Sequence, residues 1–242
     1  MSTYVYAVTG ADVSLPRGVH GIGDPPARLR ALVAGRLAAV VSAAPPRLRA
    51  YRRDLQAHQN ALLALADGGP VLPARFGVVA EDEDAVVARL RTEAEGYGAA
   101  LARVAGRVEL NLKVSPVESG LADLVREDAE VRRLREEARR RPGYDTSVRL
   151  GEVVAAGLRR RAEAVAREAV AALTALADET RPGPDVPGCV LNTSFLVAAD
   201  RADGCRTAVD ALAGRHAASA GLRLTGPLPC YSFSDVPTLA EI

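Results

Sequence analysis

The segment Val108–Val114, VELNLKV, is the stretch that decides the fold class. Apolar side chains alternate in it with polar ones, and a period of two residues is typical of a strand with one buried face. Gly106 precedes the segment and Pro116 follows it, and both residue types interrupt regular structure. The pattern therefore predicts a β-strand in the middle of the chain.

Towards the N-terminus, strands are predicted at Tyr4–Val8 and Leu37–Val41, and a helix at Arg52–Ala66. The segment Val71–Val79 is predicted to be a strand, and Pro73 indicates an edge position or a bulge because proline has no amide donor. The acidic residues 81–84 begin one further helix, which Gly106 ends.

Towards the C-terminus, the spacing predicts a highly charged helix at Leu121–Arg141 and a longer one from about Asp145 to Asp178. A strand at Cys189–Ala198 and a helix at Arg201–Ala218 follow. A last strand begins at Leu222 and is expected to be interrupted at Gly226 and Pro227.

Strands and helices interleave in both halves, which predicts an α+β fold with two domains. We expect small mixed or antiparallel sheets with helices packed on one face. The boundary is placed near Gly106, giving an N-terminal α+β domain of residues 1–105 and a C-terminal domain of residues 106–242. The C-terminal domain is expected to be ferredoxin-like, with one hairpin strand not visible in the sequence and a long helical insertion at about 121–178.

Composition disfavours several classes of partner and cofactor. The formal net charge is +1, so no overall field attracts nucleic acid or an anionic membrane. Three cysteines without a close pair indicate a reducing compartment, and the N-terminus lacks an apolar leader. We therefore expect a cytoplasmic protein that binds neither nucleic acid nor membrane.

The residue patterns also give little support to catalysis. Phosphate-binding glycine loops, zinc motifs and nucleophile elbows are absent from the sequence. His58 and His216 fall on apolar helical stripes, where a structural, hydrogen-bonded histidine is expected, and His20 lies in a Gly-rich loop and is expected to be solvated. Cys205 lies on an apolar helical face, and Cys189 and Cys230 are interpreted as core residues in strands. We expect no enzyme activity, no cofactor and no metal site.

Two segments are distinctive beyond their local structure: VLPARFGVV at 71–79 and LRLTGPLPCYSF at 222–233. Together with Tyr4-Val5-Tyr6 and the strand at 108–114, they resemble the F/L family of gas vesicle proteins, over nearly the whole chain from Tyr4 to about Phe233. Leu228 stands where that family usually has tryptophan, Cys230 where it has proline, and Val78 where threonine is common.

The resemblance implies a two-domain accessory protein of gas vesicle assembly. Its implied partners are the hydrophobic shell protein, whose aggregation it would limit during nucleation, and other vesicle accessory proteins. Its implied location is the gas vesicle. The two distinctive segments supply the candidate partner-binding residues: Leu72, Pro73, Arg75, Phe76, Gly226, Pro227, Leu228, Pro229, Tyr231 and Phe233. The alternative is that Leu72, Phe76, Tyr231 and Phe233 are core residues, because apolar residues in strands are usually buried.

Two further hypotheses stay open at this point. An enzyme or small-ligand-binding protein on a ferredoxin-like scaffold requires a deep polar pocket around His58 or Arg75. A permanent component of the vesicle wall differs from a transient assembly factor in remaining with purified vesicles.

Overall fold

The computed structural model describes residues 2–234 and has an α+β fold with two antiparallel sheets. Its strands are β1 (Thr3–Gly10), β2 (Arg30–Ala34), β3 (Leu37–Ala43), β4 (Val71–Pro73), β5 (Val79–Ala80), β6 (Arg107–Ser115), β7 (Glu179–Pro182), β8 (Leu191–Ala198) and β9 (Gly221–Leu228). Its α-helices are α1 (Arg52–Ala66), α2 (Glu83–Thr92), α3 (Ala94–Val104), α4 (Leu121–Glu127), α5 (Ala129–Arg140), α6 (Tyr144–Thr174) and α7 (Ala202–Arg215). A short 3₁₀ turn at Tyr231–Phe233 lies near the end of the described residues.

The chain divides into two compact units, whose bounds differ from the domains expected from the sequence. The first unit holds the residues up to Glu109 together with the segment that begins at Pro227, and the second unit is Leu110–Gly226. The expected C-terminal domain, 106–242, included the segment after Pro227, which groups instead with the N-terminal unit. Residues 235–242 of that expected domain lie outside the described residues.

The sheet of the first unit has the order β2-β3-β1-β4, and β5 also pairs with β1. All pairings are antiparallel, and β1 is buried from Thr3 to Thr9 because it lies inside the sheet. The core on this sheet includes Tyr4, Tyr6, Ile22 and Leu62.

The strand β2 was missed because its apolar run, Ala31–Ala34, is only four residues long. Gly35 and Arg36 join it to β3 in a tight hairpin, and Gly35 has a φ of +63°. A positive φ at the first central position of a two-residue turn favours glycine, so Gly35 was the available signal.

The predicted strand at Val71–Val79 is wrong as a single element. It consists of β4 and β5 with a turn between them, in which Gly77 has a φ of +101°. The edge position that Pro73 indicated is confirmed, since β4 ends the strand order.

Two helices that the sequence pattern predicted as continuous are each broken into two. The helix predicted to end at Gly106 changes direction at Glu93 between α2 and α3. The helix predicted at Leu121–Arg141 breaks at Asp128, which has an extended conformation and accepts hydrogen bonds from the amides of Glu130 and Val131. Asp128 thus caps α5, because its carboxylate satisfies amides that have no partner within the helix.

The second unit has the sheet order β7-β8-β6-β9. Its core packs α6 and α7 against this sheet, with Leu112, Phe195, Leu173 and Val209 among the buried residues. The strand β7 was not predicted, and the long helix predicted to run to Asp178 ends at Thr174. Strand β9 runs without interruption through Gly226 and Pro227, contrary to the expected break.

Candidate functional site

The first distinctive segment is mostly built into the first unit. Leu72 and Pro73 are buried in β4, whereas Arg75 is exposed and Phe76 is half-buried in the turn that follows. The hydrogen bond that Ala74 N–H donates to Tyr6 O extends the pairing with β1. Of the four candidate residues in this segment, Arg75 and Phe76 therefore reach the surface.

His58 on α1 fixes this segment from the inside. Its Nε2 lies 3.1 Å from the carbonyl oxygen of Ala74, and its Nδ1 lies 2.9 Å from Tyr4 Oη. Because a carbonyl only accepts, Nε2 carries the proton and Nδ1 accepts from the Tyr4 hydroxyl. Tyr4 Oη in turn accepts from Gly77 N–H at 3.2 Å, so both ends of the turn are attached to one histidine–tyrosine pair.

The same residues form an aromatic cluster. The ring of His58 stacks on Tyr6 with centroids 5.6 Å apart, and it meets Phe76 edge-on at 5.7 Å. Burial lowers the pKa of His58, because the charged imidazolium is poorly solvated there. Burial likewise raises the pKa of Tyr4, and the neutral forms of both residues hold the network together. The expectation of a structural, hydrogen-bonded His58 is confirmed.

The second distinctive segment is held by charged side chains of the first unit. Glu109 is buried and accepts two hydrogen bonds from Ser232, at 2.8 Å from its amide and 2.7 Å from its hydroxyl. Arg103 donates to the carbonyl oxygen of Phe233. Burial and the nearby Glu109 carboxylate raise the pKa of Tyr231 to about 12. The role of Glu109 was missed, because period-two alternation places it on the polar face of β6.

The candidate residues in this segment differ in exposure. Pro229 and Phe233 are buried, Pro227 is exposed, and Gly226, Leu228 and Tyr231 are half-buried. The core interpretation therefore fits Leu72 and Phe233, whereas Phe76 and Tyr231 each keep part of their surface in solvent.

The structure brings the two distinctive segments to one core. Phe76 and Tyr231 both pack against the cluster that contains Tyr4, Tyr6 and Leu62. Both segments also include edge strands, since β4 ends the order of the first sheet and β9 ends the order of the second. An edge strand has backbone amide and carbonyl groups on one side without a neighbouring strand.

The other histidines and the cysteines differ in environment. His216 caps the end of α7, and its Nε2 lies 2.9 Å from a Glu168 oxygen, so it is hydrogen-bonded but half-exposed. His20 is exposed, as expected. Cys205 is buried on α7. Cys230 is buried in the core, as expected, but it follows β9 instead of lying in a strand. Cys189 is half-exposed and precedes β8, so its expected core strand position is wrong.

The enzyme hypothesis required a polar pocket around His58 or Arg75. His58 is 3% exposed and both of its ring nitrogens have protein partners, so it does not face a cleft. Within residues 2–234 there is no group of three or more histidine, cysteine or acidic side chains placed to hold a metal ion. Of the helices in that range, none combines the length and the apolar character needed to cross a membrane.

An apolar groove of about 580 Å³ lies in the second unit. One side is a stripe of α6 that includes Ala166 and Val170, and the other is formed by Val190 and Leu191 at the start of β8. Glu163 and Arg167 also line it, and neither their positions nor the groove were predicted from the sequence.

Comparison with known proteins gives consistent matches over the full length. The family model described as "Gas vesicle synthesis protein GvpL/GvpF" matches residues 2–235. Gas vesicle protein F of Streptomyces sp. (strain CB03234) is 45% identical over 241 residues, which is 97% of this chain and 100% of that protein. Gas vesicle protein L of the same strain is 34% identical over 257 residues, covering 96% of this chain and 92% of that protein.

Solved structures share the fold. The crystal structure of the gas vesicle protein GvpF from Anabaena sp. PCC7120 superposes with a TM-score of 0.77 at 19% identity, covering 98% of this chain and 99% of that one. The crystal structure of GvpF from Microcystis aeruginosa gives a TM-score of 0.73 at 19% identity, covering 97% and 99%.

Proposed function

The chain belongs to the gas vesicle synthesis protein GvpL/GvpF family, and we propose that it serves gas vesicle assembly by binding the hydrophobic shell protein. Binding covers apolar surface of the shell protein and limits its aggregation during nucleation. The protein works on the gas vesicle in the cytoplasm and also contacts other vesicle accessory proteins. It acts without catalysis and without a cofactor.

The observation that carries this proposal is the free edge of β9 at the second distinctive segment. Strand β9 is eight residues long, and among residues 2–234 it pairs on one side only, with β6. Thr225 and Pro227 on it are exposed, and Gly226 and Leu228 are half-buried. Edge strands bind extended peptides through backbone hydrogen bonds, so an apolar client segment can add to β9 as a further strand.

Side chains from outside the two segments fix the backbone of this surface. Arg206 donates a hydrogen bond to the carbonyl oxygen of Gly226 at 2.9 Å, which fixes the backbone where β9 approaches its end. Glu109 accepts a hydrogen bond from Ser232, and Arg103 donates one to Phe233; both of these residues follow β9. Among the candidate residues we assign contact roles to Arg75, Phe76, Pro227, Leu228 and Tyr231, and supporting roles to Leu72, Pro73, Gly226, Pro229 and Phe233.

We also propose that the second unit is a ferredoxin-like domain that presents this edge. Its elements follow the order β-α-β-β-α-β if α4–α6 count as one helical connection, and its central strands are β6 and β8. Helices α4 and α5 then form the insertion.

A charge on the edge tests the proposal. Thr225→Lys places an ammonium group on β9, and a lysine on an edge strand opposes strand addition. We expect association with purified shell protein, measured by co-precipitation, to weaken about tenfold or more. The matched control is Thr207→Lys, because Thr207 is an exposed threonine of α7 in the same unit.

A second readout is light scattering of shell protein diluted from denaturant. Wild-type protein and the Thr207→Lys variant should slow the rise in scattering, and Thr225→Lys should not. If Thr225→Lys and Thr207→Lys associate equally with shell protein, β9 is not the contact surface. If both variants also retain full association and the shell protein crosslinks to the α6 groove, the contact lies at that groove. Intact vesicle formation after deletion of the gene would contradict the function itself.

The small-ligand alternative is not favoured, because His58 is occupied on both ring nitrogens. A permanent place in the vesicle wall is distinguished from a transient role by washing purified vesicles. A transient assembly factor is lost in the wash, whereas a wall component remains at constant ratio to the shell protein.

A further inference from the structure

A small cavity in the first unit lies between a Gly-rich loop and the first half of α1. Its volume is about 260 Å³. The lining residues that matter are His20 and Gly23 of the loop, Val19 and Pro26 at its ends, and Asp54 and Ala57 of the helix. None of these residues belongs to the two distinctive segments.

The loop that forms the cavity is fixed in place. Ile22 N–H donates to Tyr6 Oη at 2.7 Å, and Gly21 N–H donates to Ala27 O at 2.7 Å. The loop also lies against the tyrosine so closely that a Cβ on Gly21 would stand 2.2 Å from Tyr6 Oη. The cavity is thus a preformed feature of the fold, and no rearrangement is needed to open it.

Asp54 supplies a carboxylate at the base of this cavity. Its side chain is 7% exposed, and its Oδ1 accepts the Gly23 amide at 2.9 Å. Its other oxygen, Oδ2, has no hydrogen-bond partner among residues 2–234. The nearest guanidinium nitrogen, Arg53 Nε, is 3.9 Å from Oδ1, and Arg53 Nη1 bonds instead to Asp24 at 2.6 Å.

Asp54 is a largely buried carboxylate in the wall of this cavity, and such a charge is stabilised by an opposite charge or a hydrogen-bond donor that reaches it. We propose that this cavity binds a single guanidinium or ammonium group, the basic side chain of a partner protein. Val19, Pro26 and Ala57 offer apolar wall to the methylene stem of such a side chain, while its charged head reaches Asp54. The volume is below the roughly 300–1,000 Å³ of sites for larger ligands, which favours one side chain.

The same geometry argues against an anion. The amides of Gly21, Ile22 and Gly23 already have acceptors, so the loop has no cradle of free N–H groups at these positions. The guanidinium of Arg53 is paired with Asp24. A phosphate or carboxylate would meet the Asp54 charge instead.

The inference rests on the proposed function only for the identity of the partner that carries the side chain. Its test uses capped amino acids and the full chain. We expect N-acetyl-L-arginine amide and N-acetyl-L-lysine amide to shift the ¹H–¹⁵N signals of Gly21, Gly23 and Asn60 in a saturable way. N-acetyl-L-citrulline amide has nearly the shape of the arginine probe without its charge and should bind about tenfold more weakly or not at all.

The variant Asp54→Asn keeps the acceptor for Gly23 and removes the charge, so it should weaken the arginine probe about tenfold or more. The matched control is Asp67→Asn, which makes the same change at an exposed position just after α1 that does not line the cavity. If Asp54→Asn does not fold, Ala57→Leu fills the cavity with the carboxylate left in place and should also abolish binding.

The outcomes separate the two proposals. Equal affinity for the citrulline and arginine probes, or unchanged affinity in Asp54→Asn, overturns the cation site even if shell protein still binds. Probe binding that depends on Asp54, in a protein that shows no association with shell protein, supports the site and overturns the proposed function.

Discussion

Replacing His58 with phenylalanine should destabilise the first unit strongly without creating a large cavity. The phenylalanine ring fills similar space beside Tyr6 and Phe76, but it removes the two hydrogen bonds to Tyr4 Oη and Ala74 O. Each buried partner left unsatisfied costs about 1–3 kcal/mol, so we expect the free energy of unfolding to fall by about 2–6 kcal/mol.

Urea denaturation followed by the near-ultraviolet circular dichroism of tyrosine measures this change. The protein has no tryptophan, and five of its six tyrosines lie in the first unit, so the signal reports mainly on that unit. A double-mutant cycle isolates the hydrogen bond. Tyr4→Phe should cost at least about 1 kcal/mol less in the His58→Phe background than in wild type, because its hydroxyl has already lost its acceptor.

The reasoning is refuted if His58→Phe lowers the free energy of unfolding by less than about 0.5 kcal/mol. It is also refuted if Tyr4→Phe costs the same in both backgrounds. Either result would mean that the histidine does not hold the turn after β4.

Three further predictions concern pH, packing and thiol chemistry. Because the pKa of His58 is lowered in the folded state, the unfolded chain binds a proton at this residue more readily than the folded chain does. The free energy of unfolding should therefore fall as the pH drops below about 6.5, with a contribution from His58 of up to about 1.4 kcal/mol per pH unit. Urea titrations at several pH values should show that His58→Phe lacks this contribution. Gly120→Ala should destabilise the second unit by about 1–3 kcal/mol, because the added Cβ would stand 2.1 Å from Ala218 O. The control Gly151→Ala places a Cβ in open space on α6 and should stabilise the unit by about 0.5–1 kcal/mol. Thermal unfolding of the two variants measures the difference. Cys189 should be the first cysteine to react with a thiol reagent at pH 8, because Cys205 is buried and burial raises the pKa of Cys230 to about 12. Cys189→Ser should remove the fast phase of the reaction. A fast phase that persists in this variant would contradict the assignment of Cys189 as the reactive thiol.

Long elements with a clear period were predictable from the sequence. Helix α1 was predicted with the bounds that the structure has, Arg52–Ala66, because its apolar spacing is regular and a Gly-Gly-Pro stop follows. The breaks at Glu93 and Asp128 were not predictable from period alone, because the apolar stripe continues on either side and tertiary packing decides where each helix turns.

The features that could not be predicted from the sequence were mainly short strands and contacts between residues far apart in the chain. Strands β2 and β7 have five and four residues, too few for alternation to stand out. Glu109 occupies a polar position in an alternating strand, and nothing local shows that Ser232, 123 residues later, returns to its carboxylate. The cavity at Asp54 depends on a loop whose Gly23 lies 31 residues before Asp54 in the sequence, so the contact between the two could not be recognised from spacing.

The division of the chain has a consequence for synthesis on the ribosome. Residues 110–226 form a continuous stretch and can acquire their structure while translation is still in progress. The unit that contains the first strand must wait, because Ser232 and Phe233 are made after that stretch and supply the groups that Glu109 and Arg103 bind. A nascent chain therefore leaves Glu109 and Arg103 without these partners until the segment after Pro227 has been made, and premature stop codons near residue 226 should release a product that proteases remove.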